Sequence, residues 1–178
     1  MNSLKGKVAV VTGAGRGIGK AISAALARAG CRVVLAARTR EQIEAVEKEI
    51  LSNGGDALAL PTDLTLDDDI RQLVEKSQEK WGGVDILINN AGWGKRASVV
   101  SASLTEWDQT FRVNLRAPMA LAKALLPNMI AKRAGAVINI GSVSGKTGEA
   151  NGAAYSASKF GLIGFTQSLY EEVREHGI

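Results

Sequence analysis

Near the start of the chain, Lys7 to Thr12 (KVAVVT) is a β-branched run that ends in a glycine cluster and passes at once into helical spacing. A run that is apolar at consecutive positions, rather than at alternate ones, reads as a strand covered on both faces. The helix that follows runs from Ile18 to Ala29, with Gly30 as its stop. A strand, a glycine turn and a helix in that order commit the chain to βαβ construction, and the rest repeats the pattern. Arg32 to Ala37 (RVVLAA) is a second strand. Thr39–Arg40–Glu41–Gln42 has the form of a capping box and opens a helix to about Asn53. Ala57 to Pro61 is a third strand. Asp67, Asp68 and Asp69 then fill the first turn of a helix reaching Lys80, where the helix dipole favours carboxylates. Val84 to Ile88 is a fourth strand. Ser103–Leu104–Thr105–Glu106 is a second capping box, heading one long helix to about Ala131. Ala136 to Ile140 is a fifth strand, and a last helix spans Tyr155 to Glu175.

Alternation of this kind implies an α/β fold: a doubly wound, Rossmann-type parallel sheet in three αβα layers. With 178 residues, 46% of them hydrophobic and 22% charged, the chain suffices for one domain with a sizeable core, spanning 1–178. The net charge of +4 comes from 22 basic and 18 acidic residues that alternate along the chain. That suits an anionic cofactor and falls short of a nucleic-acid footprint. A single cysteine, Cys31, and a single histidine, His176, allow neither a disulfide framework nor a zinc cluster, so no metal site is expected. Residues 1–6 are polar and no apolar run nears the ~20 residues that span a bilayer. The expectation is a cytoplasmic enzyme with no membrane partner.

Two late helices have unusual composition. Residues 117–131 carry five alanines among Leu and Met, and residues 153–164 carry Ala153, Ala154, Ala157, Gly161 and Gly164. Helices that are small and apolar around much of their circumference are covered on more than one side. One side is the sheet. The other is expected to meet a partner subunit, giving a homodimer or homotetramer through helices 104–131 and 155–175; neighbouring loops are the alternative cover.

The turn after the first strand fails a literal G-x-G-x-x-G test, because position 18 is Ile18. The spacing that holds is G-x-x-x-G-x-G at Gly13, Gly17 and Gly19. It serves the same end, letting backbone N–H groups crowd a pyrophosphate at a helix N-terminus. Strand two ends Ala36–Ala37–Arg38, with no carboxylate where an NAD site would hold ribose hydroxyls. Arg38, and Arg16 in the turn, are placed to pair with a 2′-phosphate, so NADP(H) is expected. Two ordinary surface arginines are the alternative.

Strand four runs into Asn89–Asn90–Ala91–Gly92, strand five into Gly141–Ser142, and Tyr155 and Lys159 are neighbours at i and i+4 on a helix face. With T-G-x-x-x-G-x-G at 12–19, Asp63, N-N-A-G at 89–92, Asn114, Ser142 and Y-x-x-x-K at 155–159, the whole chain resembles a short-chain dehydrogenase/reductase. The resemblance implies roles. Tyr155 is the general acid in reduction and the base in oxidation. A phenol ordinarily titrates at about 10, so base chemistry near neutrality needs a cation beside it, which Lys159 supplies. Lys159 also holds the nicotinamide ribose. Ser142 donates to the substrate carbonyl oxygen, with Ser144 as a competitor for that role. Asn114 holds the water that links Lys159 to solvent, or is a structural amide. Asp63 and Leu64 contact adenine, while Asn90 and Gly92 lie along the cofactor beside Gly13, Arg16, Gly17, Ile18, Gly19 and Arg38. Trp93 and Trp107 read as packing or pocket wall.

Members of the family continue beyond the point where this sequence stops, at Gly177–Ile178, so strands six and seven are absent and strand five is expected to be an open edge. The chain reads as a piece of a longer enzyme. Within the family it looks most like the bacterial NADPH-dependent 3-oxoacyl-acyl-carrier-protein reductases of fatty acid biosynthesis. That likeness implies an acyl-thioester carbonyl substrate, and Arg133 as a basic contact for an acyl carrier protein, with His176 at the second such position. Reduction of small ketones, alcohols or sugars is the alternative within the class. An NADP-binding sensor without catalysis is the alternative outside it.

Overall fold

The computed structural model describes residues 4–178 and builds the strands where the apolar runs stand. They are β1 (Val8–Thr12), β2 (Arg32–Ala37), β3 (Asp56–Pro61), β4 (Ile86–Asn89) and β5 (Ala136–Asn139). All pair in parallel, in the order β3-β2-β1-β4-β5. The direction of winding reverses between β1 and β4. In open parallel sheets the crevice beyond the strand carboxyl ends at that reversal is where ligands bind. The glycine turn after β1 and the Asn90–Gly92 segment after β4 both open there.

Strand geometry divides the core in two. Side chains alternate across a strand, so Val8 and Val10 face one way and Ala9 and Val11 the other. The first face meets α3 (Asp67–Trp81) and α5 (Ala117–Lys132) through Leu73, Leu121, Leu125 and Met129, and α6 (Ala153–Val173) through Leu169 and Val173. The second meets α1 (Gly17–Arg28) and α2 (Arg40–Ser52) through Ile22, Ile43, Val46 and Ile50. The result is the expected three-layer arrangement. Strand β5 has one strand neighbour and leaves Ile138 46% exposed, so it is an open edge in this chain.

Three sequence expectations need correction. The helix expected over 104–131 is α4 (Leu104–Phe111) and α5 joined by a π turn at Arg112–Arg116. Both capping boxes mark real N-caps, Thr39 and Ser103, yet neither side chain makes the capping hydrogen bond. The third-position residues of both boxes are also engaged elsewhere. Glu106 lies 2.6 Å from Lys95, and Gln42 is pressed against Gly15 of the glycine turn. Strand β4 begins at Ile86 rather than Val84, and Asp85 just before it accepts the Val8 N–H on its carboxylate at 2.9 Å.

Candidate active site

The glycine turn is shaped by three contacts. Gly13 has φ +65° and Gly17 φ +54°, left-handed values that favour glycine. Gly19 lies beneath the turn: a Cβ there would stand 2.2 Å from the Gly13 carbonyl oxygen. Thr12 and Asn90 lock the turn to β4. The Thr12 hydroxyl accepts the N–H groups of Asn90 and Ala91, each at 3.0 Å, and donates to the Ile88 carbonyl. The Asn90 side-chain amide donates to the Thr12 carbonyl at 2.9 Å. Helix α1 begins at this turn with Arg16 as N-cap, no side-chain cap and no acidic residue in its first turn. Its first N–H groups therefore remain free for an anion.

The cleft above the turn encloses about 660 Å³. It is bordered by Gly13, Arg16, Gly17 and Ile18 on the turn, by Arg38 after β2, and by Asp63 and Leu64 after β3. Asn90 and Gly92 close the far side. Every expected cofactor residue but three is in that wall. Gly19 sits behind it, while Tyr155 and Lys159 stand beyond its Gly92 end. Among the described residues neither Arg16 nor Arg38 forms an ion pair, and both are exposed. Two free cations and an uncapped helix start fit a phosphate-bearing dinucleotide. The Asp63 carboxylate is half committed, since Oδ1 accepts both the N–H and the hydroxyl of Thr65. Trp93, read from the sequence as packing or pocket wall, lines the cleft, whereas sequence reasoning missed Gly15 and Gln42 as wall residues. Gly15 was readable, because a glycine inside a phosphate turn already signals close approach; here a Cβ would meet Gln42 Cβ at 2.8 Å.

At the far end the cleft meets Lys159 and Tyr155, the pair expected to handle protons. A Cβ on Gly92 would lie 3.9 Å from Lys159 Nζ and 3.8 Å from Asn114 Oδ1. Lys159 is buried, 3% exposed, and donates to the Ile140 carbonyl at 2.8 Å. Burial holds its ammonium below the usual lysine range. Lys159 Nζ is 5.9 Å from the centre of the Tyr155 ring. That ring lies flush against Gly94, where a Cβ would stand 2.8 Å from Tyr155 Cδ2. Tyr155 borders a second, smaller cavity of about 270 Å³.

Asn114 sits in the π turn, fully buried. Its Oδ1 accepts the Trp93 N–H at 2.8 Å, and its Nδ2 donates to the Trp93 carbonyl at 2.8 Å and to Ser158 Oγ at 3.0 Å. The Ser158 hydroxyl donates in turn to the Tyr155 carbonyl at 2.7 Å. Asn114 thus ties the loop after β4 to the helix that carries Tyr155. Ser142 N-caps a short 3-10 turn, Val143–Gly145, accepting the Ser144 N–H at 3.2 Å and keeping its own O–H proton to donate. Its competitor Ser144 is buried and donates to Glu149 Oε1 at 2.7 Å. Ser142 borders neither cavity; Ser144 borders the smaller. Arg133 caps the C-terminus of α5 and donates to the Glu175 carbonyl at 2.7 Å, which brings it to the segment that carries His176. Among the described residues no helix is long and apolar enough to cross a membrane.

This arrangement defines a dinucleotide-binding oxidoreductase fold, and the chain belongs to the short-chain dehydrogenase family, whose model matches residues 7–178. It is 37% identical to a 3-oxoacyl-[acyl-carrier-protein] reductase of Synechocystis, over all of this chain and 72% of that protein. It is 41% identical to the corresponding Vibrio cholerae reductase, over 99% of this chain and 71% of that one. Among solved structures, a metagenomic short-chain oxidoreductase in complex with NADP superposes with a TM-score of 0.95 at 47% identity, covering 98% of this chain and 79% of its own. A putative NAD(P)-dependent gluconate 5-dehydrogenase from Beutenbergia cavernae, with NADP at low occupancy, gives 0.92 at 38% identity, covering 99% and 70%.

Proposed function

We propose that this chain carries out the NADPH-dependent reduction of a ketone or 3-oxoacyl carbonyl to the hydroxy product. One juxtaposition carries the reading. Gly92 borders the larger cleft and stands beside Lys159, while Gly94, two residues on, packs against Tyr155 at the smaller cavity. A dinucleotide in the first cavity and a carbonyl in the second would meet at that pair. The free N–H groups at the α1 N-terminus would hold the pyrophosphate and Arg16 and Arg38 the 2′-phosphate, which accords with the NADP bound in both solved relatives.

When bound, the reduced nicotinamide supplies a hydride to the carbonyl carbon. The carbonyl oxygen gains negative charge as its double bond opens; the Ser142 hydroxyl keeps its proton but borders neither cavity, so it would have to turn toward that oxygen to donate to it. Tyr155 gives that oxygen the proton that completes the alcohol. The phenolate left behind lies beside the Lys159 ammonium, which stabilises it and returns a proton drawn from solvent past Asn114. Because the Asn114 amide is already bonded to Trp93 and Ser158, its share of that relay runs through a remaining lone pair or its backbone carbonyl. The chain works as a single domain that assembles into a dimer or tetramer through α4, α5 and α6. Met119, Phe160 and Tyr170, all more than two-fifths exposed, support this assembly.

The test is Tyr155→Phe, followed by NADPH oxidation with acetoacetyl thioesters and a panel of ketones. The variant should lose about 10²- to 10⁴-fold in kcat while its NADPH Kd is unchanged. Retained turnover would remove Tyr155 from the mechanism. Tight NADPH binding by wild type with no carbonyl reduced would favour a sensor.

A further inference from the structure

The smaller cavity beside Tyr155 is walled mainly by polar and charged side chains. Apart from the Tyr155 ring and glycine backbone, its lining is Lys95, Arg96, Ser144 and Glu149. Arg96 Nη2 donates to Glu149 Oε2 at 2.5 Å, and Ser144 Oγ donates to the other carboxylate oxygen at 2.7 Å. Lys95 is paired separately with Glu106. The Arg96–Glu149 pair bridges 53 positions of sequence, joining the loop after β4 to the loop before α6. The Ala97 N–H, bonded to the Asn151 carbonyl at 2.9 Å, ties the same two loops. With Arg96 73% and Glu149 38% exposed, the pair contributes little to stability. Its consequence lies in the chemistry it presents beside Tyr155.

We infer, resting on the reductase reading of Tyr155, that this pocket takes a small, neutral ketone bearing hydroxyl groups next to its carbonyl, and that Arg96 and Glu149 are its specificity-determining pair. A hydroxyl both donates and accepts, and the pair offers a guanidinium donor and a carboxylate acceptor held side by side. A long acyl chain would strip water from both charges and return no hydrogen bond. A carboxylate or phosphate would need a free cation, but both cations here already hold carboxylates, and Glu149 would repel a second anion. The Ser144 hydroxyl and then Arg96 keep Glu149 ionised, so its acceptor character persists at neutral pH.

The experiment compares kcat/KM for dihydroxyacetone and erythrulose with that for acetone and butanone, in wild type, Arg96→Met and Glu149→Gln. In parallel, calorimetry with glycerol and erythritol on the NADP⁺-loaded protein reads the pocket without turnover. Melting temperature and NADPH Kd report that each variant is folded. Wild type should favour the hydroxylated ketones at least ~tenfold, and each substitution should cut that ratio at least ~tenfold. A wild-type preference for acetone, butanone or an acetoacetyl thioester overturns the inference, as does a ratio that neither substitution moves. Should no carbonyl be reduced, the reductase reading falls alone if glycerol or erythritol binds and each variant loses that binding. Absence of polyol binding in that case overturns both.

Discussion

Gly19→Ala tests the tightest approach in the cofactor cleft. An added methyl would stand 2.2 Å from the Gly13 carbonyl oxygen, 2.6 Å from Asn90 Nδ2 and 2.8 Å from the Gly13 carbonyl carbon. Cβ atoms essentially never come within 3.0 Å of such neighbours, so something must move by at least 0.8 Å, the difference between 3.0 and 2.2 Å. The obstructing atoms are mostly backbone and Asn90 is tied to Thr12, so the motion falls on the start of α1 itself. Overpacking of this sort costs about 1–3 kcal/mol. For a chain of this size each kcal/mol lowers Tm by about 2–4 °C, so a fall of about 2–12 °C is expected. The same displacement pulls the first-turn N–H groups off the phosphates, and losing one charge-assisted hydrogen bond weakens binding at least ~tenfold. Gly141→Ala is the control, because a Cβ there meets nothing within 4 Å. Its Tm should hold or rise slightly. Thermal unfolding by circular dichroism and NADPH fluorescence titration read both quantities. If Gly19→Ala matched wild type in Tm and NADPH Kd, the close packing of α1 under the glycine turn would be refuted.

Thr12→Val keeps the shape of the side chain but leaves the Ala91 N–H without its acceptor, while the Asn90 N–H keeps the Ile88 carbonyl at 3.1 Å. It should cost about 1–3 kcal/mol, seen as a lower urea midpoint with unchanged slope; a midpoint equal to wild type would show that water replaces the hydroxyl. Arg38→Asp should lower kcat/KM for NADPH about 10- to 100-fold and shift preference toward NADH, and an unchanged NADPH/NADH ratio would end the 2′-phosphate assignment. Lys159→Met carries a pH signature. Burial lowers the folded-state pKa of Lys159 below its unfolded value of 10.5, so the unfolded chain binds more protons between those two values. Wild type should therefore gain stability relative to the variant as pH rises from neutral toward 10.5, measured by urea unfolding at several pH values. A difference constant with pH would mean that the ammonium is not desolvated.

The sheet and the cofactor wall were legible because both follow from local pattern. Consecutive β-branched residues fix a two-sided strand wherever they occur, and a glycine turn between strand and helix fixes where an anion can sit. What stayed hidden depends on partners far away in sequence. Thr39 and Ser103 were rightly placed as N-caps, but only the fold shows Glu106 drawn to Lys95. The π turn leaves no mark on composition, since it changes the hydrogen-bonding of Arg112–Arg116 while keeping the residues helical. The commitment of Asn114 to Trp93 and Ser158 spans 21 and 44 positions, beyond any spacing rule. The Arg96–Glu149 pair was unreadable for the same reason, as two charges among forty until two loops bring them together.

The π turn also sets which kinds of sequence change the site can absorb. Relative to an α-helix it amounts to one additional residue within a continuous helical rod. Deleting a single residue between Arg112 and Arg116 would let the turn close to α-helical winding while α4 and α5 keep their phase, because the π turn absorbs that residue locally. The apolar stripe of α5 that includes Leu121, Leu125 and Met129 would stay on the core, while the bulge that carries Asn114 to the Trp93 backbone would be lost. Substitutions along α4 and α5 change one side chain at a time. A one-residue deletion in the π turn removes the seat of Asn114 and spares the rest of the rod, whereas the same deletion within α5 would turn everything after it by about 100°.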